Sequence, residues 1–239
     1  LGIGGSIVMI PVLTLLLGRN QHLAQASAMI VNVFVSLPAV WRHQRAKAIC
    51  WPIVFRMLPA GLATILVGVW ASNLLSATLL ERVFGVFLLY VVVVNVLKLT
   101  RRSSLEEGTS ERASWGASSL VAGVMGFAAG MLGIGGGIVA VPLLQRVTRL
   151  PLRSCIAVSA TAMCVTAPLG AWRKNATLAE ILGREGDVVG ESLVIAACLV
   201  PTAVVGGLIG ASLTHALPLR AIRIALIALL SVAAVRFLI

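Results

Sequence analysis

Long apolar runs separated by short charged connections organise the chain. No charged or histidine side chain falls within Leu23–Trp41, Met57–Leu80, Val83–Leu97, Ala113–Gln145, Ser154–Trp172, Ser192–Thr214 or Ile224–Val235. Crossing about 30 Å of hydrocarbon takes roughly 20 helical residues, so most of these runs have the length of one membrane span. Ala113–Gln145 is too long for one straight span. Reading the runs together with their flanks gives helices near Ile7–Leu17, Leu23–Val40, Pro52–Leu74 and Thr78–Leu99. A second set falls near Trp115–Met131, Ile138–Val147, Leu152–Trp172, Glu191–Leu213 and Pro218–Phe237. Proline suits a first helical turn at Pro52 and Pro218. The polar segment Arg101–Arg112 reads as a linker. The expected fold class is all-α: a polytopic transmembrane helical bundle.

The second set echoes the first. LGIGGSIVMIPVL at Leu1–Leu13 recurs as LGIGGGIVAVPLL at Leu132–Leu144, with nine of thirteen positions identical at an offset of 131. Trp41-Arg42 matches Trp172-Arg173 at the same offset, and Pro59 and Gly68 match Pro201 and Gly210 at an offset of 142. The second half therefore carries about eleven extra residues between Arg173 and Glu191. Many transporters are built from such duplicated halves. The expected organisation is a first transmembrane repeat over 1–100, a polar linker over 101–114 and a second repeat over 115–239. Trp115–Met131 precedes the second glycine motif, and the first has no counterpart, so a matching helix is expected ahead of Leu1. Whether the halves are parallel or inverted stays open at this level.

Composition agrees with the span pattern. Hydrophobic residues make up 59% of the chain and charged residues 11%, against about 45–50% and a quarter in ordinary soluble domains. A soluble chain of this length could not bury that much apolar surface. The net charge of +11 sits in connections, as in Arg42, Arg45 and Lys47 or Arg146, Arg149 and Arg153. Basic residues flanking spans set topology, and they place the loop after Trp41 and the linker in the cytoplasm. No basic helix face interleaved with aromatics is present, which argues against a nucleic-acid partner. Cys50, Cys155, Cys164 and Cys198 lack metal or redox spacing and read as small packing residues. His22, His43 and His215 fall at expected helix ends with no pair at ligand spacing. No metal site and no cofactor are expected.

The glycine motif is the one local sequence that calls for chemistry. A glycine inside a helix costs about 1 kcal/mol relative to alanine, so three or four together should break it. In lipid each exposed, unsatisfied backbone group costs several kcal/mol. Such backbone persists only where protein buries it or a watery cavity meets it. Gly2, Gly4 and Gly5, with Gly133, Gly135, Gly136 and Gly137, are therefore expected at an internal site. A helix restarting at Ile7 or Ile138 would aim free N–H groups and its positive dipole end into that site, an arrangement that attracts anions. The proposed spans hold almost no ionisable groups, whereas a metal-cation pump or proton relay would normally carry Asp or Glu there.

Further candidates for substrate contact are Ser6, Ser27, Asn32, Ser159 and Thr161 within the bundle, and Arg42 and Arg173 near the cavity mouths. Interhelical hydrogen bonding is the plainer role for the polar residues in the spans, and snorkelling or topology for the arginines. Close helix packing competes with a broken helix as an account of the glycines. It suits scattered glycines such as Gly206 and Gly210 but not a consecutive run followed by Pro11 or Pro142. Dinucleotide binding is excluded because Ile138 stands where the third glycine belongs, and no P-loop lysine follows.

The doubled LGIGGG-x4-P-L motif with Trp-Arg after the next helix resembles the sulfite exporter TauE/SafE family of permeases for sulfur-containing and organic anions. The resemblance covers essentially the whole chain and implies a multi-pass bacterial inner-membrane protein that exports sulfite, a sulfonate or a related anion. It maps the motif onto Gly2, Gly4, Gly5 and Pro11, and onto Gly133, Gly135, Gly136, Gly137 and Pro142. The first copy departs from the pattern at Ser6. The expected function is a secondary transporter for a small anion working by alternating access, with the lipid bilayer as its partner, compatible with a homo-oligomer. The alternatives are a channel-like anion pore and a non-transport membrane assembly protein. An enzyme is not expected, since neither paired acids nor a Ser/His couple occurs in the spans.

Overall fold

A computed structural model describes residues 5–100, 115–183, 186–216 and 219–238, with side chains except at 98–100, 207–216, 219–223 and 225–226. Gly2, Gly4 and the linker lie outside the described residues. Within them the protein is helical: α1 (Ser6–Pro11), continued by a π-helical turn over Val12–Leu16, then α2 (Gln21–Arg45), α3 (Trp51–Leu74) and α4 (Ala77–Thr100). After the linker come α5 (Trp115–Leu132), α6 (Gly137–Thr148), α7 (Leu152–Ala176), α8 (Leu178–Leu182), α9 (Val188–Ala216) and α10 (Leu219–Leu238). Among the described residues six helices, α2, α3, α4, α5, α7 and α9, are long and apolar enough to cross a membrane. The protein is an all-α polytopic membrane bundle.

The ends of the helices follow local chemistry. Asn20 caps α2, its side chain accepting from the His22 amide at 2.9 Å, the usual role of Asn at an N-cap. Pro52 occupies the first turn of α3, where its missing N–H leaves no bond unmade. Gly18 (φ 60°) follows the π-helical turn in the left-handed region, and Arg149 (φ 52°) ends α6 the same way. These two residues stand 131 positions apart, the offset of the sequence repeat. The short α8 falls in the loop that sequence reading left without structure. Charge-free runs also understate the helices, because α2 takes in His22 and Arg42, α4 takes in Glu81 and Arg82, and α7 takes in Arg173 and Lys174.

Side-chain contacts fix the directions. α5 runs parallel to α3: the Ser119 hydroxyl donates to the Arg56 carbonyl, Gly126 packs on Gly61, and Gly130 packs on Gly68. At Gly133–Gly136 the chain leaves the helix and turns back. α6 then descends along α5, with Gly136 against Met125 and Ala129. Ala140, Val141 and Leu144 join Val121, Met125, Ile53 and Val54 in one core. α7 climbs again beside α3, placing Thr166 at Gly61 and Gly170 at Ile65. α2 runs opposite to α7, with His22 at Lys174 and Met29 at Gly170. Segments that match in sequence, α2 and α7, therefore run in opposite directions. They are also the most enclosed of the spans, while α4 and α9 are the least.

The α3–α5 contact depends on missing side chains. A Cβ on Gly68 would strike the Phe127 carbonyl, and one on Gly130 the Ile65 carbonyl. Small residues of this kind let transmembrane backbones approach closely, where van der Waals packing replaces a hydrophobic drive. Gly206 on α9 has nothing within 4 Å of its Cβ position. Gly130→Val is expected to destabilise the detergent-solubilised protein by about 1–3 kcal/mol, the usual cost of overpacking, while Gly206→Val changes little. Thermal unfolding of both variants checks this, and equal losses would contradict the contact.

Candidate functional site

The candidate site is the gap between α5 and α6. Gly133, Gly135 and Gly136 take φ values of 73°, 70° and 69°, the left-handed region that glycine enters without steric cost. Gly133 through Gly136, with Ile134 between them, are all buried. The sequence expectation of a helix broken inside the bundle is met at this copy of the motif. The break must therefore find partners for its polar backbone within the protein.

α2 supplies two of them. The Asn32 amide donates to the Gly133 carbonyl at 3.1 Å, and the Gln25 amide donates to the Met131 carbonyl at 3.1 Å. On the other side stands α7: a Cβ on Gly135 would collide with Met163 Sδ and meet Asn32 Nδ2 at 3.3 Å. Asn32 and Met163 are 131 positions apart, so the matched helices α2 and α7 cross at matched positions, with Gly135 between them. α1 closes a third side. Its Ile7 and Ile10 share a core with Leu132 and Ile134, and Ile10 lies against Gly133.

The Met131 and Gly133 carbonyls are partnered by side chains, whereas the first amides of α6 have no acceptor among the described residues. The α6 N-cap, Gly136, provides no side-chain cap. Its carbonyl accepts from Val139 at 3.1 Å and from Ala140 at 2.9 Å. Among the described residues, the amides of Gly137 and Ile138 donate to no carbonyl. The Ser6 hydroxyl, at the position matching Gly137, is fully buried and has no hydrogen-bond partner among the described residues. Pro11 is buried at the end of α1, and Pro142 lies within α6.

Other candidates stand further out. The Ser27 hydroxyl is buried, donating to the Leu23 carbonyl at 3.0 Å and contacting Ser192 Oγ at 3.4 Å, so it ties α2 to α9. Thr161 donates to the Ala157 carbonyl of its own helix at 2.8 Å. Ser159 is buried on α7. Gly5 is exposed and accepts from the Val8 and Met9 amides at 3.1 Å. Arg42 and Arg173 are exposed near opposite ends of the bundle. Among the described residues, no three His, Cys, Asp or Glu side chains converge as a metal site would require.

One cluster escaped the sequence reading. Lys174 is completely buried, with Nζ 2.7 Å from Ser72 Oγ, 2.8 Å from Asn73 Oδ1 and 2.9 Å from His22 Nδ1. Ser72 donates onward to Gln25 Oε1 at 3.1 Å, and Gln25 reaches the Met131 carbonyl, two residues before the break. Lys174 follows Trp172-Arg173 immediately, just beyond the helix end expected at Trp172. The signal that could have found it is the run from Arg173 to Thr177, which holds no glycine or proline to end the helix.

A family profile described as "Sulfite exporter TauE/SafE" matches residues 1–237. Curated relatives include two proteins called "Probable membrane transporter protein MamO", from Paramagnetospirillum magneticum and Magnetospirillum gryphiswaldense. Each is 25% identical over 92% of this chain and 39% of its own length. A probable membrane transporter protein of Methanocaldococcus jannaschii is 25% identical over 66% of this chain and 60% of its own. The chain thus spans about two fifths of the MamO proteins and under two thirds of the archaeal relative. No solved structure matches it significantly.

Removing the Asn32 amide leaves the Gly133 carbonyl buried without its donor. Asn32→Ala is expected to cost about 1–3 kcal/mol in thermal unfolding, the range for stranding a buried polar group. Thr161→Ala, whose hydroxyl bonds only its own helix, is expected to cost less than half as much.

Proposed function

The chain belongs to the sulfite exporter TauE/SafE family, and from that membership we propose that it is a membrane permease for a small anion such as sulfite or a sulfonate. The observation that carries this reading is the buried break at Gly133–Gly136, after which the amides of Gly137 and Ile138 donate to no carbonyl among the described residues. An anion accepts hydrogen bonds from such amides and gains from the positive end of α6. Ser6 Oγ offers a neutral donor from the matching segment. Asn32, held to the Gly133 carbonyl, fixes the loop so that its amides are presented in one geometry.

Transport then needs the site to open to each side in turn. The crossing of α2 and α7 suits this, since matched helices in opposite directions support two related arrangements. Rocking of one half against the other about the Asn32–Gly135–Met163 crossing exposes the same amides first to one face and then to the other. Arg42 and Arg173, exposed at opposite ends, draw anions toward the two mouths. The direction in the cell is export across the bacterial inner membrane.

Two measurements test this in proteoliposomes. Gly135→Leu forces a side chain into the left-handed region and onto Met163. It is expected to insert normally but to lose sulfite transport, and unimpaired transport would count decisively against the site. Ser6→Ala removes one donor to a charged ligand, a contact worth about 1.5–3 kcal/mol, so KM for sulfite is expected to rise roughly tenfold or more. Saturable sulfite counterflow is expected of the wild type, whereas flux that never saturates would mark a pore instead.

A further inference from the structure

The hydrogen bonds around Lys174 determine its charge. The His22 Nε2 lies 3.1 Å from the Leu75 carbonyl, which can only accept, so Nε2 carries a proton. Gln25 spends its amide on the Met131 carbonyl, leaving Oε1 to accept the Ser72 proton. Ser72 Oγ must therefore accept from Lys174 Nζ at 2.7 Å. The Asn73 amide donates to Thr177 Oγ1 at 2.9 Å, so its Oδ1 also accepts from Nζ, at 2.8 Å. The remaining contact, Nζ to His22 Nδ1 at 2.9 Å, needs one more proton between two nitrogens. Whether that proton belongs to the ammonium or the imidazolium, the pair carries one positive charge.

Every partner of that charge is neutral. Among the described residues no carboxylate touches it. Glu191, at the same end of the bundle, is engaged by Arg19 at 2.6 Å. Arg173, its chain neighbour, points outward and is exposed. An ionised group enclosed in a membrane bundle is costly unless paired, and such residues mark the routes of ions and substrates. A chain of hydrogen bonds through Ser72 and Gln25 links the group to the Met131 carbonyl, two residues before the break.

We propose that the His22–Lys174 pair is the charge-recognising element of the anion path, a fixed positive charge that a small oxyanion engages as it passes between the glycine break and the Leu75 end of the bundle. This rests on the permease reading above. His22, Ser72 and Asn73 hold the ammonium while no anion is present. The arriving anion replaces Ser72 and Asn73 as acceptor, which releases Ser72 and Gln25 and so links occupancy to the loop at the break.

Binding of sulfite, methanesulfonate and acetate to the purified full chain, by calorimetry in detergent, tests the proposal alongside each variant's melting temperature. Lys174→Gln is expected to weaken sulfite binding at least tenfold. Ser72→Ala combined with Asn73→Ala removes the internal competitors but keeps the charge, and is expected to tighten sulfite binding several-fold. A purely structural role for the cluster gives weaker or unchanged binding in that double variant, and this result overturns the proposal even where Lys174→Gln fails to fold. Folded Lys174→Gln protein that binds sulfite within twofold of wild type also overturns it. Wild-type protein that binds none of the three anions overturns the permease reading itself, and this inference falls with it.

Discussion

A polar backbone group inside a membrane bundle must have a partner, and much of this architecture answers that demand at one place. Gly133–Gly136 leave the helix in the middle of the protein. Each unsatisfied N–H or C=O there costs several kcal/mol, as much as the net stability that many contacts supply. Gln25 and Asn32 on α2 satisfy the Met131 and Gly133 carbonyls, which explains polar residues on one of the two most enclosed helices. Among the described residues the Gly137 and Ile138 amides donate to no carbonyl, and the proposed anion site rests on them. Burial of the break by α1, α2, α5 and α7 keeps this backbone out of lipid.

The two halves share backbone geometry more closely than chemistry. Gly18 and Arg149 end matching segments in the same left-handed conformation, and α2 crosses α7 at the matched pair Asn32 and Met163. Yet Asn32 bonds the break while Met163 only packs on it. Ser6 stands against Gly137, and the buried Lys174 stands against His43, which is not fully enclosed. Equivalent helices therefore carry unequal polar groups. The first half donates most of the side chains that tie down the break of the second, and the only buried ammonium among the described residues gathers at one end. An exchange between two related arrangements would then have unequal end states.

Hydropathy made much of the fold legible. The expected spans Pro52–Leu74 and Trp115–Met131 end within a residue of α3 and α5, because Pro52 and the flanking charges or glycines mark real physical boundaries. The break at Gly133–Gly137 was legible for the same reason: consecutive glycines have no helical alternative account. Lys174 was not legible, since treating charge as a boundary ended α7 at Trp172. The helix in fact runs on to Ala176, because three neutral acceptors on α2 and α3 satisfy the ammonium. Those acceptors lie about a hundred residues or more away in sequence, and only the packing brings them together. The directions of the halves were open in the sequence for a related reason: a broken helix can cross or return, and the contacts of α6 with α5 decide that it returns.

The central claim is that freed backbone amides at the break hold an anion, and crystals grown with selenite, a heavier relative of sulfite, test it most directly. Anomalous scattering is expected to place selenium within hydrogen-bonding reach of the Gly137 and Ile138 amides. Those amides capped by protein carbonyls, with selenium found only at the outer surface, would contradict the account.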